Sequence, residues 1–149
     1  MHSNVKPSDQ VTLLDKLPPI SQGVATVTTG WVKASDYNQL LALLALGVMG
    51  ASGTVDAKLQ QATDSGGSGA KDVTGSNITQ MVKATDDNKF SFINLDPQRL
   101  DVNGGFSYVR LSVTVGTAAS LIYGALLGLN PRYGIASHGT GFKEAINVN

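Results

Sequence analysis

Tyr37-Asn38-Gln39-Leu40-Leu41-Ala42-Leu43-Leu44-Ala45-Leu46-Gly47-Val48-Met49-Gly50 can be read in two ways, and the fold differs with each. Leu and Ala lead the helix scale, so local propensity favours a helix. The rival is a strand buried on both faces, which is written as a continuous apolar run and ends at a turn. Here the turn is Gly50-Ala51-Ser52-Gly53. The run has no polar stripe, and every neighbouring segment is β in character. Its company decides for the strand.

Downstream, Thr54-Val55-Asp56-Ala57-Lys58-Leu59-Gln60 alternates, with Val55, Ala57 and Leu59 on one face and charged or polar groups on the other. That is a half-exposed strand. Residues 89–95 form another strand that ends at Asp96-Pro97, and Pro97-Gln98-Arg99-Leu100 reads as a turn or a single helical turn. Asn103-Gly104-Gly105 is a hairpin-type turn. It feeds the longest alternating stretch, residues 106–115, with Val109, Leu111, Val113 and Val115 inward. Residues 120–129 are again apolar on both faces. Upstream, Val24-Ala25-Thr26-Val27-Thr28-Thr29 is rich in β-branched residues, and Gly30 separates it from Trp31-Val32-Lys33.

The sum is about eight strands spaced by roughly 8–12 residues, with no convincing amphipathic helix between them. The expected fold is therefore all-β, a single-domain antiparallel β-sandwich or jelly-roll. Three regions are expected: an extended N-terminal arm over residues 1–23, the sandwich over 24–130 and an irregular tail over 131–149. Pro7, Pro18, Pro19 and Gly23 keep the arm out of a sheet core. Its apolar residues Leu13, Leu14, Leu17 and Ile20 nevertheless need cover. They either fold back on their own domain or lie on a neighbouring subunit, and they are candidate subunit contacts.

Composition narrows the function. Charged residues are 15% of the chain, against roughly 25% in ordinary soluble domains. Gly, Thr, Ser, Asn and Gln take their place, and such neutral polar surface is cheap to desolvate when a neighbour covers it. Eleven basic and eleven acidic residues cancel, and no stretch concentrates Lys or Arg. A phosphate backbone would find no footprint here, so no nucleic-acid partner is expected. There is no Cys, hence no disulfide or thiolate metal site. The polar residues 1–10 lack the apolar core of a signal peptide. The apolar run at residues 40–49 is about half of the roughly 20 residues a membrane helix needs. A chain made in the cytoplasm, with no membrane partner, is expected.

Chemical motifs are weak. Gly66-Gly67-Ser68-Gly69-Ala70-Lys71 superficially suggests a phosphate-binding loop, but Asp72 stands where Ser or Thr is required, and no helix follows. It reads as a surface loop. His2 and His138 lie in terminal segments and read as solvated side chains. Asp86-Asp87 and the pair Asp96 and Asp101 read as turn residues rather than an acid/base pair. Asn77-Ile78-Thr79 matches a glycosylation acceptor that a non-exported chain does not use. No catalytic, cofactor-binding or metal-binding residue is assigned, and no enzyme is expected. Most of the aromatic residues read as core filling. Phe106 and Tyr108 share parity with Arg110, opposite the inward valines, so Phe106, Tyr108 and Arg110 form a second candidate subunit contact.

Five segments, taken in order, carry a resemblance. They are Thr29-Gly30-Trp31-Val32; Val55-Asp56-Ala57-Lys58-Leu59-Gln60-Gln61-Ala62-Thr63-Asp64-Ser65; Gly69-Ala70-Lys71-Asp72-Val73-Thr74-Gly75; Leu111-Ser112-Val113-Thr114-Val115-Gly116; and Asn130-Pro131-Arg132-Tyr133-Gly134. Together they resemble a family of small structural proteins of tailed bacteriophages, of the kind encoded in the head-morphogenesis region. The resemblance implies a non-enzymatic virion protein, a capsid decoration (cement) or minor capsid subunit on the capsid surface. The implied partners are the phage major capsid protein and further copies of the chain, as a trimer. A neck or tail component is the alternative, and a carbohydrate- or receptor-binding module a further one. An arm of about 20 residues, fully extended, reaches about 60–70 Å, enough to clamp a neighbour.

Overall fold

Residues 37–49 are a strand, β4 (Tyr37–Met49), in the computed structural model, which describes residues 5–139 and 141–148. Its burial follows period two: Leu40, Ala42, Leu44 and Leu46 are buried, and Leu41, Leu43, Ala45 and Gly47 are half-buried. The expectation of burial on both faces is thus corrected, since one side alone enters the core. Partners decide the conformation. β4 lies between β10 (Ser120–Pro131) and β8 (Phe90–Leu95), antiparallel to both. Non-local pairing along nearly its whole length outweighs the helical preference of Leu and Ala.

Two antiparallel sheets make the sandwich. Sheet A has the order β1-β10-β4-β8, with β1 spanning Val11–Gln22. Sheet B centres on β9 (Tyr108–Gly116) paired with β5 (Thr54–Ala62). On the far side of β9 lie β2 (Ala25–Thr28) and β3 (Val32–Lys33), two pieces of one interrupted strand. On the far side of β5, β6 (Lys71–Asp72) and β7 (Met81–Val82) are likewise two pieces of one. Counting each interrupted strand once gives the orders 1-8-3-6 and 2-7-4-5 along the chain. The chain passes repeatedly from one sheet to the other, and this is the jelly-roll arrangement.

The core lies between the sheets. Val109, Leu111, Val113 and Val115 of β9 and Val55, Ala57 and Leu59 of β5 are buried, as their alternation indicated. Leu40, Ala42, Leu44, Leu46, Ile122 and Leu126 face them from sheet A. Gly124 opposes Leu17 in register, and a Cβ there would lie 3.1 Å from Leu111 and 3.2 Å from Leu17, so the small residue lets the layers close.

The segment expected as an arm contains a short helix, α1 (Pro7–Gln10), and then β1, which pairs with β10 from Val11↔Leu129 to Gln22↔Ser120. Two register shifts, at Leu13/Asp15 and Leu17/Ile20, bend it around the bulky and proline-containing stretch. After β10 the chain is irregular and returns to the N-terminal segment: Ala136 donates its amide to the Asp9 carbonyl at 2.9 Å. Among the described residues no helix is long and apolar enough to cross a membrane.

Candidate assembly surface

The outer face of sheet A follows from its register. Opposed residues of an antiparallel pair point to the same side, so the residues facing away from the core fall in rows across the four strands. One row runs Leu13, Leu127, Leu41, Asn94. The next is Lys16, Ala125, Leu43, Phe92, and the third Tyr123, Ala45, Phe90. Beyond them Leu121 lies over Gly47, where a Cβ would come within 2.9 Å of the Leu121 Cβ. Among the described residues of these rows, Lys16 at the β1 edge is the charged one.

Among the described residues this surface is covered in part: Ala125 is buried and Leu13, Leu41, Leu43 and Leu127 are half-buried. Phe90 and Phe92 are 63% and 53% exposed, with ring centroids 5.3 Å apart and a tilt of 58°. Ile20 and Leu121 are also exposed, and with Pro19, Ala45 and Tyr123 they line a shallow hollow on this side. A large contiguous apolar patch on a folded domain is a candidate place for another molecule to sit. Covering it stabilises a complex by about 25 cal/mol for each Å² of apolar area removed from water.

The sequence-derived contact residues do not form one site. Leu17 is buried in the core and Leu14 packs against it, so both serve their own domain. Leu13 lies on the outer face of sheet A, and Ile20 is half exposed at its end. Phe106, Tyr108 and Arg110 lie with sheet B, and all three are half-buried. Arg110 stacks on Trp31 at 4.4 Å and donates Nε–H to Gln60 Oε1 at 2.9 Å. Lys71 sits 4.1 Å above the Phe106 ring. Phe106 and Arg110 thus already have intramolecular partners. Phe90 and Phe92, read as core filling from the sequence, are the correction. Pairing with β4 sets Ser91, Ile93 and Leu95 inward and turns both rings out.

The carboxylates serve turns. Asp87 is held below the ordinary carboxylate value by Lys83 and then by the Met49 amide, and Asp86 chiefly by the Val82 amide. Asp101 is lowered by Lys71 first and by the Gly104 amide, and Asp72 by Lys58 and Gln60. A general acid needs the opposite shift. In the Gly-rich loop the amides of Gly66 and Ser68 point at the loop's own Asp64 carboxylate, at 2.9 and 3.1 Å, leaving no cradle for a phosphate. The loop is tied down: at Gly67 (φ +86°) a Cβ would lie 2.4 Å from Trp31 Nε1. His138 meets the Ser8 carbonyl at 3.0 Å and stacks on Phe142, so it is not the freely solvated side chain expected. His2 lies outside the described residues. Among the described residues no group of three or more His, Asp or Glu could hold a metal ion, and no catalytic constellation is formed.

No protein-family model and no curated protein matches the sequence. Several solved structures are similar in shape. A chain of an empty virus-like particle of Cowpea Mosaic Virus has a TM-score of 0.46 at 12% identity, over 89% of this chain and 86% of that one. A chain of Broad Bean Stain Virus has a TM-score of 0.44 at 11% identity, over 100% of both. The xylan-binding domain CBM22-2 of Paenibacillus barcinonensis Xyn10C has a TM-score of 0.39 at 10% identity, over 71% of this chain and 78% of that one. Likeness at this level bears on neither function nor partner, and the fold rests on the strand order above.

Proposed function

We propose that this chain is a structural subunit that works by assembling with other protein subunits, and that the outer face of sheet A is where it does so. The supporting observation is that face itself: apolar rows across four strands, bare of charge but for Lys16, with Phe90 and Phe92 standing out of it. A chain with low charge, no catalytic constellation among its described residues and a partly exposed apolar sheet face suits a partner of similar character.

The finer reading is a virion protein of a tailed bacteriophage, a decoration or minor capsid subunit held on the major capsid lattice and self-associated. It rests on the ordered sequence segments that resemble that family and on the neutral polar surface. Fold alone does not choose this role, because jelly-rolls host many functions. Quantitative mass spectrometry of purified particles tests it. Copies comparable in number to the major capsid protein support decoration, copies far fewer point to a neck or tail position, and absence from the particle contradicts the reading.

A further inference from the structure

Sheets have edges as well as faces, and the four edge regions of this sandwich differ. In sheet A, β1 carries Asp15, Lys16, Pro18 and Pro19 and is broken by two register shifts. In sheet B, the edge pieces β2, β3, β6 and β7 are two to four residues long. Charge, proline, bulges and shortness are the devices that keep an edge from recruiting another strand. The fourth edge has none of them. β8 is Phe90-Ser91-Phe92-Ile93-Asn94-Leu95, six residues without a charge, a proline or a glycine. Among the described residues it pairs with β4 and with no other strand. The backbone groups on its far side are therefore open to a partner.

We propose that β8 is where a second copy of this chain adds its own β8, antiparallel about a two-fold axis, joining two copies of sheet A into one continuous sheet. This rests on the reading of the chain as an assembly subunit and names one of its contacts. Charge selects both the occupant and its direction. Lys89 precedes the strand and Asp96 follows it, both exposed. Lys89 is 3.3 Å from Asp86 with its side chain still 58% exposed, and Asp96 is engaged with the Gln98 amide at 2.9 Å. Antiparallel self-pairing brings Lys89 of each copy towards Asp96 of the partner subunit, twice by symmetry. Parallel pairing would set like charge against like.

Parity fixes the register to within two residues. The outer faces stay on one side only if Phe90, Phe92 and Asn94 oppose members of the same set. A register centred on Phe92 sets Phe90 against Asn94 of the partner subunit. One centred on Ser91 would set Asp96 against Asp86 of the partner subunit, like charge on like, so the charges select the register centred on Phe92. That register merges the two apolar faces into a single surface. An interface of one short strand per copy falls below the roughly 1,600 Å² of a standard one, so the pair is concentration-dependent in solution. A two-fold contact of this kind closes on itself and gives a dimer, not the trimer that the sequence resemblance implies.

The test is sedimentation velocity with native mass spectrometry on the full chain over a concentration series, with amide exchange read along β8. The wild type should pass from monomer to dimer, with β8 amides gaining protection as it does. Phe92→Lys places a charge where the monomer already exposes the side chain. It should keep the wild-type circular dichroism and raise the dimer dissociation constant at least roughly tenfold. Tyr133→Ala, 80% exposed elsewhere, should leave the dimer unchanged. A monomer at every concentration overturns the pairing, and so does a trimer, or a dimer that survives Phe92→Lys with β8 unprotected. Purified particles separate this from the broader reading. A dimer whose chain is absent from particles keeps the pairing and removes the virion role. A chain present in particles with β8 unprotected there keeps the role and removes the pairing.

Discussion

Gly128 is a position within the strands where the sandwich has no room for a side chain. A Cβ there would stand 2.5 Å from the Tyr37 ring, so β10 and the start of β4 close only over a bare backbone. Gly128→Val is expected to destabilise the fold by about 1–3 kcal/mol, as overpacking generally does. Adding Tyr37→Ala should recover part of that loss, a coupling that denaturant titration of the double-mutant cycle reads. Ser76 is the polar counterpart. Its buried hydroxyl accepts from the Leu59 amide at 3.0 Å and lies 2.7 Å from the Val73 carbonyl, tying the loop between β6 and β7 to β5. Ser76→Ala leaves the Leu59 amide without that partner and should cost about 1–3 kcal/mol of unfolding free energy. Neither position stands out in the sequence. A glycine beneath a ring and a serine in a loop acquire their roles from residues far away along the chain.

Strands were more legible, in proportion to their alternation. The inward sets of β5 and β9 follow from the sequence because charged or polar residues mark their other side. β4 and β10 lack that mark, so the strand could be named but not its exposed face. β8 misled for a related reason. Its two Phe residues suggest core, and only the register with β4, Ala42 against Ile93 and Leu44 against Ser91, turns them outward. The turn that leads into β8 gives a pH expectation. Asp86 and Asp87 have folded-state values below the ordinary 3.8, through the Val82 amide and Lys83 respectively. A lowered carboxylate stabilises the fold above its unfolded value and loses that contribution as pH falls through the folded one. The thermal midpoint should therefore be flat near neutrality and drop below about pH 4, modestly, since these groups are screened by solvent. Asp87→Asn should shallow that drop.

At the scale of the molecule, the apolar runs at residues 40–49 and 120–129 held more than a strand assignment. A sandwich has two layers and one core, so a strand apolar on both sides leaves one side over. In this chain that surplus is gathered on the outside of sheet A, where Leu41, Leu43, Phe90, Phe92, Leu121 and Leu127 share one face. The arm residues singled out from the sequence turned out to be divided between core and surface, since β1 folds onto β10 and draws Leu17 inward. The most direct measurement is carbene footprinting of the chain, free and in its assembled particle. Labelling at Leu43, Phe90, Phe92 and Leu121 is expected to fall sharply on assembly. Equal labelling of these residues in both states would contradict the assignment of this face to assembly.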